Sequence, residues 1–161
     1  MIETIYIEKK IKNHPRTNSI LSKFKKARFI EIDRYGEIFN KRNQNFRIQK
    51  FSPDLILAHK ESGLVLPAPD GFGIGNSKNF YFSHMYNCIY DCRYCFLQGM
   101  YSSANYVIFV NFEDFDNALE KVIEENKSSK ITFFSGYDCD SLALENVTGF
   151  AKHILGLFRK Y

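Results

Sequence analysis

Three cysteines fall within eight residues, in the run Cys88-Ile-Tyr-Asp-Cys92-Arg-Tyr94-Cys95. A chain carrying this run has to fold around whatever the three thiols hold. Three close thiolates can occupy three corners of a [4Fe–4S] cube and leave the fourth iron without a protein ligand. A cluster used only to pass electrons normally has four cysteine ligands. A cluster with an open iron can bind a small molecule, as the open position of a catalytic zinc does. Zinc itself is the competing occupant. Cys92 and Cys95 make one C-x2-C pair, Cys88 is a third ligand, and His84 or Cys139 could be a fourth, but no second pair has finger spacing.

Around the run the sequence predicts strands alternating with helices. Thr4 to Glu8 reads as a short strand, and Arg28 to Asp33 as another. Pro15 excludes a helix at that point, so a helix capped by Thr17 or Asn18 is expected to run to about Lys26, with Ile20, Leu21 and Phe24 on one face. Residues 34–53 read as loop, and 55–58 and 64–66 as strands. The glycines of Gly71-Phe-Gly-Ile-Gly75 lack the strand–turn–helix setting of a phosphate loop and read as a connecting turn. Asn79 to His84 reads as a strand ending just before the cysteine loop. Phe112, Phe115, Leu119, Val122 and Ile123 fall at helical spacing behind Asn111 as N-cap. Lys130 to Ser135 is a buried-type strand followed by Gly136. A last helix is expected behind a cap at Asp140 or Ser141, with Leu142, Val147, Phe150, Ile154 and Phe158 on its apolar side. Strand, loop, helix, strand, helix predicts a parallel βα arrangement.

The 161 residues suit one folded unit, and 16 Phe and 10 Tyr allow an aromatic core. Met1-Ile-Glu-Thr does not begin a basic-then-apolar leader, and no apolar run is long enough to span a bilayer. Together with four cysteines this reads as a soluble, cytoplasmic protein with its thiols reduced and no membrane partner. Charge is uneven. Residues 1–87 hold 15 Lys and Arg against 8 Asp and Glu, a net +7, and residues 88–161 hold 7 against 10, a net −3. The clusters Lys23, Lys25, Lys26, Arg28 and Lys41, Arg42, Arg47 would suit a nucleic-acid backbone, or form a solvated surface.

The cysteine spacing, with Tyr94 before the last thiol, resembles the radical S-adenosylmethionine (SAM) motif. More narrowly, Cys92-Arg-Tyr-Cys-Phe-Leu-Gln98 is similar to the corresponding run of spore photoproduct lyases, which reverse a UV-linked thymine dimer in DNA. Tyr6-Ile-Glu8, the stretch from Tyr106 to Asn111, and Asp140-Ser-Leu-Ala-Leu-Glu145 follow that family's order. The resemblance implies an α/β fold: the first two units of a partial (βα) radical SAM barrel over residues 78–161, preceded by a small basic α+β region over 1–77. It implies a [4Fe–4S] cluster on Cys88, Cys92 and Cys95. It implies SAM on the open iron, with Tyr94 beside the adenine and Ser135, Gly136, Asp138, Asp140 and Ser141 near the rest of the cofactor. It further implies a DNA substrate and a reductant such as flavodoxin or ferredoxin. Only 66 residues follow Cys95, room for about two βα units, so the chain resembles the front half of such a protein, and the resemblance implies a second polypeptide that completes the barrel.

Two positions depart from the family pattern. Phe96 stands where a tyrosine follows the third cysteine and serves a hydrogen relay. Cys139 lies about two residues from the place of the hydrogen-donating cysteine. Three expectations follow: a radical SAM lyase-like enzyme with Cys139 and Tyr94 as catalytic residues, a zinc-stabilised nucleic-acid-binding module, or a half-barrel that binds a cluster without productive SAM cleavage.

Overall fold

The computed structural model describes residues 2–75 and 77–161. In chain order the elements are β1 (Thr4–Glu8), a 3-10 turn, α1 (Pro15–Leu21), β2 (Arg28–Ile32), α2 (Gly36–Phe39), α3 (Phe46–Gln49) and β3 (Leu55–Ala58). These are followed by β4 (Leu66–Pro67), β5 (Lys78–Phe82), β6 (Met85–Tyr86), β7 (Tyr106–Phe109), α4 (Phe112–Glu125), β8 (Ile131–Ser135), α5 (Glu145–Thr148) and α6 (Phe150–Phe158).

The strands form two sheets. A five-stranded sheet has the order β2-β1-β3-β7-β6, parallel except for β6 against β7. A three-stranded sheet has the order β4-β5-β8, with β5 and β8 parallel and β4 antiparallel. Strand β7 lies within the sheet built from the front strands, because Tyr-Val-Ile-Phe is apolar on both faces and every residue of it is buried. Central parallel strands read as such continuous apolar runs. One face of the large sheet packs Ile5, Ile7, Leu55, Leu57 and Ile108 under Ile20 of α1. The other packs Ile56, Val107 and Phe109 with Phe39, Phe112, Phe115 and Phe150. Each fully buried side chain of this size contributes about 1.5–3 kcal/mol.

Several sequence expectations are corrected. Pro15 begins α1 instead of excluding it: it occupies the first turn, where a missing N–H costs nothing, and His14 caps the helix by accepting from Arg16 N at 3.2 Å. Thr17 is inside the helix and buried, and the helix ends at Leu21. Residues 34–53 hold two one-turn helices, the second capped by Asn45 Oδ1 accepting from Ile48 N. The 64–66 strand shrinks to Leu66–Pro67. The strand before the cysteine loop stops at Phe82, and after buried Ser83 and His84 the chain passes into the other sheet as β6. Asp140 and Ser141 cap no helix. The final helical stretch is split by Gly149 in the left-handed conformation (φ 66°), separating α5 from α6. Among the described residues no helix is long and apolar enough to cross a membrane.

Candidate metal centre

Parallel strands β5 and β8 end side by side, Phe82 opposite Ser135, with Gly136 N donating to Phe82 O at 2.9 Å. The segments that leave these ends meet the cysteine loop. Asn87 fastens the loop's base: at φ 62° its side-chain amide donates to Ser103 O at 2.7 Å and Asn105 O at 2.8 Å. Gln49 accepts from Ala104 N and Ser103 Oγ, and Lys50 reaches Gln98 at 2.5 Å and Asp91 at 2.8 Å. The loop has no regular secondary structure, yet its two ends are pinned by buried hydrogen bonds.

Inside it a cavity of about 240 Å³ is lined by Cys88, Cys92, Cys95 and Cys139, together with Tyr94, Gly136 and Asp140. The three motif cysteines are partly buried and all four cysteines are free thiols. Tyr90 N donates to Cys88 Sγ at 3.4 Å, and Cys95 N donates to Cys92 O at 3.0 Å, a turn that presents both thiols to the cavity. Among the described residues no three His, Cys, Asp or Glu side chains are already drawn together as a metal site. The donor set nevertheless fits an iron-sulfur cluster: three soft thiols on one irregular loop share one cavity, and one already accepts a backbone N–H of the kind that steadies a cluster sulfur. Metal binding releases the thiol protons and supplies free energy to close such a loop.

The structure separates the remaining candidates. Tyr94 stands at the cavity rim and is 92% exposed. Phe96 is also exposed and leans on Tyr137, ring centroids 5.7 Å apart. Gly136 adopts φ 83°, and a Cβ there would meet Cys139 O at 2.7 Å and Ser141 N at 2.8 Å. Ser135 lines an adjoining apolar groove with Tyr81, Phe134 and Tyr137, outside the cysteine cavity, and Ser141 lines neither. Asp140 Oδ1 accepts from Leu142 N at 2.8 Å, which fixes the turn. Cys139 is buried, and burial, followed by the nearby Asp138 charge, pushes its thiol far above the ordinary range. His84 lies outside the cavity, stacked on Phe150 at 3.9 Å, and is removed as a fourth zinc ligand. His14, His59 and His153 are partly buried and take part in acid contacts away from the cavity.

Sequence reasoning missed Tyr101 and Ser83, and took Asp138 only as a SAM contact. Tyr101 Oη donates to Asp138 Oδ1 at 2.7 Å, and Asp138 N donates to Ser83 Oγ at 3.0 Å. These bonds tie the cysteine loop, the turn bearing Cys139 and the end of β5 to one another. The only sequence signal for Tyr101 was a tyrosine a few residues past the motif, too common to single out.

No protein-family model and no curated protein sequence matches the chain. Solved structures do match. A doubly substituted spore photoproduct lyase "with bound AdoMet and dinucleoside spore photoproduct" superposes with TM-score 0.76 at 17% identity, over 98% of this chain and 46% of that chain. The fold is that of the N-terminal half of spore photoproduct lyase. Spore photoproduct lyase complexed with dinucleoside spore photoproduct gives TM-score 0.72 and a tyrosine-to-phenylalanine mutant 0.74, both at 17% identity with the same coverage. The chain thus spans about half the length of the structures it matches, as a partial radical SAM fold.

Proposed function

We propose that this chain is the cofactor-binding half of a radical SAM enzyme similar to spore photoproduct lyase, acting on a DNA lesion. The observation that carries this reading is the meeting of Cys88, Cys92, Cys95 and Cys139 on one cavity, where β5 and β8 end in a lyase-like fold. Cys88, Cys92 and Cys95 hold a [4Fe–4S] cluster. When bound and reduced, such a cluster would supply the one-electron chemistry for reductive cleavage of SAM. Gly136 would let backbone approach the cofactor, with Asp140 as a further polar contact and Tyr94 at the rim on the adenine side, whereas Ser135 and Ser141 lie outside this cavity. The Cys139 thiol keeps its proton at neutral pH and is shielded from water. Both properties suit a group that gives a hydrogen atom to a product radical rather than one that attacks as thiolate. Exposed Lys25, Lys26 and Arg28, with Lys41, Arg42 and Arg47, supply phosphate contacts. Flavodoxin or ferredoxin is the class of reductant.

A second reading has a specific basis. Strand β8 is an edge of its sheet, hydrogen-bonded on one side only. A further polypeptide supplying parallel βα units would complete the barrel there, and without one the chain binds the cluster but does not cleave SAM productively. Residues 1–77 and 78–161 are then the DNA-facing and cofactor-bearing regions.

Anaerobic reconstitution with iron and sulfide, followed by metal analysis and EPR of the reduced protein with and without SAM, tests the proposal. About four irons per chain and a spectrum altered by SAM support an open-iron cluster. Zinc in place of iron, or a spectrum indifferent to SAM, overturns it. SAM binding without 5′-deoxyadenosine formation selects the incomplete half-barrel.

A further inference from the structure

The cysteine cavity touches the large sheet near the first residue of β7, Tyr106. A second cavity, of about 470 Å³, lies at the opposite, C-terminal ends of that sheet's parallel strands. Glu8 ends β1, Arg34 and Tyr35 follow β2, Lys60 follows β3, and Tyr86 and Phe109 complete the wall. In open parallel sheets a ligand crevice forms where neighbouring strands send their connections to opposite faces. Strand β1 leads to α1, on the face of Ile5, Ile7 and Ile20. Strand β3 leads to Leu64 and Val65, packed with Ile56 and Phe109 on the other face. The crevice between β1 and β3 is therefore a topological switch point.

Each of the three carboxylates that line this cavity already has a donor. The Glu8 carboxylate is used by Tyr35 N at 2.6 Å and His59 N at 2.8 Å. Asp33 pairs with Lys9 at 2.6 Å and Glu61 with Lys10 at 2.7 Å. Lys60 is only 8% exposed, and its ammonium donates to Ser83 O at 3.1 Å. It otherwise faces the rings of Tyr86, Phe109 and Phe115, at 5.0, 5.1 and 5.9 Å, and feels the charge of Asp138. Two of its three N–H groups thus have no hydrogen-bond partner among the described residues, a costly state for a buried charge. Burial accordingly lowers its pKa. At the rim, the Arg34 guanidinium has no hydrogen bond or ion pair among the described residues. Tyr35 stands edge-on to Phe109 at 5.6 Å, so two unspent cationic donors face an aromatic wall.

We propose that this cavity is a binding site for a small organic anion, its carboxylate or phosphate on Lys60 and Arg34 and its flat apolar body against Tyr35, Tyr86 and Phe109. The site is distinct from the cysteine cavity and stands whether or not a cluster is bound. Titration calorimetry and thermal shift on the metal-free chain test it, using benzoate, phenyl phosphate and inorganic phosphate as probes. Saturable binding of benzoate or phenyl phosphate is expected. Lys60→Met, which keeps the side-chain length without the charge, should lower the affinity at least tenfold, and exposed Arg34→Gln several-fold. If none of the probes saturates, or if Lys60→Met and Arg34→Gln both bind as the parent does, the proposal fails. Equal affinity for inorganic phosphate and phenyl phosphate overturns the aromatic part of the assignment.

Discussion

A Cβ at position 136 would sit 2.7 Å from one backbone atom and 2.8 Å from another, at a φ of 83° that side-chain-bearing residues rarely adopt. The obstructing atoms belong to Cys139 and Ser141, so the turn cannot yield without moving the thiol. Gly136→Ala should cost about 2–4 kcal/mol, from strain plus the clash, measurable as a shift in the urea midpoint. Little or no shift would mean that the turn is loose and that Cys139 is not held. His84 gives a prediction in pH. Burial, and then the Lys60 charge, lower its pKa from the ordinary 6.5 to about 3. The unfolded chain takes up a proton as pH falls through about 6.5, and the folded chain resists until about 3. Stability is therefore lost progressively across that window. His84→Phe, which can keep the stack on Phe150, should flatten the fall in urea midpoint between pH 6.5 and 4, and an unchanged slope would count against the assignment. The cysteine run was legible in the sequence because its spacing is rare. Asn87 and Tyr101 were not, since their roles depend on contacts 16 to 37 residues away.

Asn111 shows how an element boundary can be found and its reason missed. It stands at the N-terminus of α4 as its type and place foretold, but its side chain caps no helix N–H. Instead Oδ1 accepts from Lys60 N at 2.9 Å, and the amide donates to Lys60 O at 3.0 Å and to Asp114 at 2.6 Å. This pairing ties the two segments together two residues past the last β3–β7 pair, Ala58 and Phe109. Asn111→Ala would strand a buried N–H and a buried carbonyl of Lys60, so a loss of about 2–4 kcal/mol is expected by chemical denaturation. A helix-cap role alone would cost nearer 1 kcal/mol. The strand cores were readable because alternation and continuous apolar runs are local signals. The helices at 36–39 and 46–49 were not, since each is a single turn, the first held by the packing of Phe39 and the second by the Asn45 cap, rather than by periodicity. Pro15 misled for a related reason: a proline breaks a helix interior but suits a helix start, and only the chain around it decides which.

Across the whole molecule, order is concentrated in the large sheet and thins toward the cysteine side. Strand β3 is hydrogen-bonded on both edges, by β1 and β7, and all four of its residues are fully buried. Strand β8 is bonded on one edge only, and every residue in it is partly or fully exposed. Opening β8 therefore gives up one ladder and little apolar area, whereas opening β3 requires breaching two ladders and both faces of the core. Local openings of this kind set amide exchange rates. In exchange measured by mass spectrometry, peptides covering 55–58 and 106–109 should be the slowest, and those covering 131–135 should exchange by a lower-energy opening. Loading the cysteine site should slow exchange in 87–105 and, through the Tyr101–Asp138–Ser83 bonds, in 136–140 as well. It should leave 55–58 unchanged. If β8 proved as protected as β3 in the metal-free chain, its free edge would have to be covered, and the region that presents the cysteines would be as rigid as the sheet behind it.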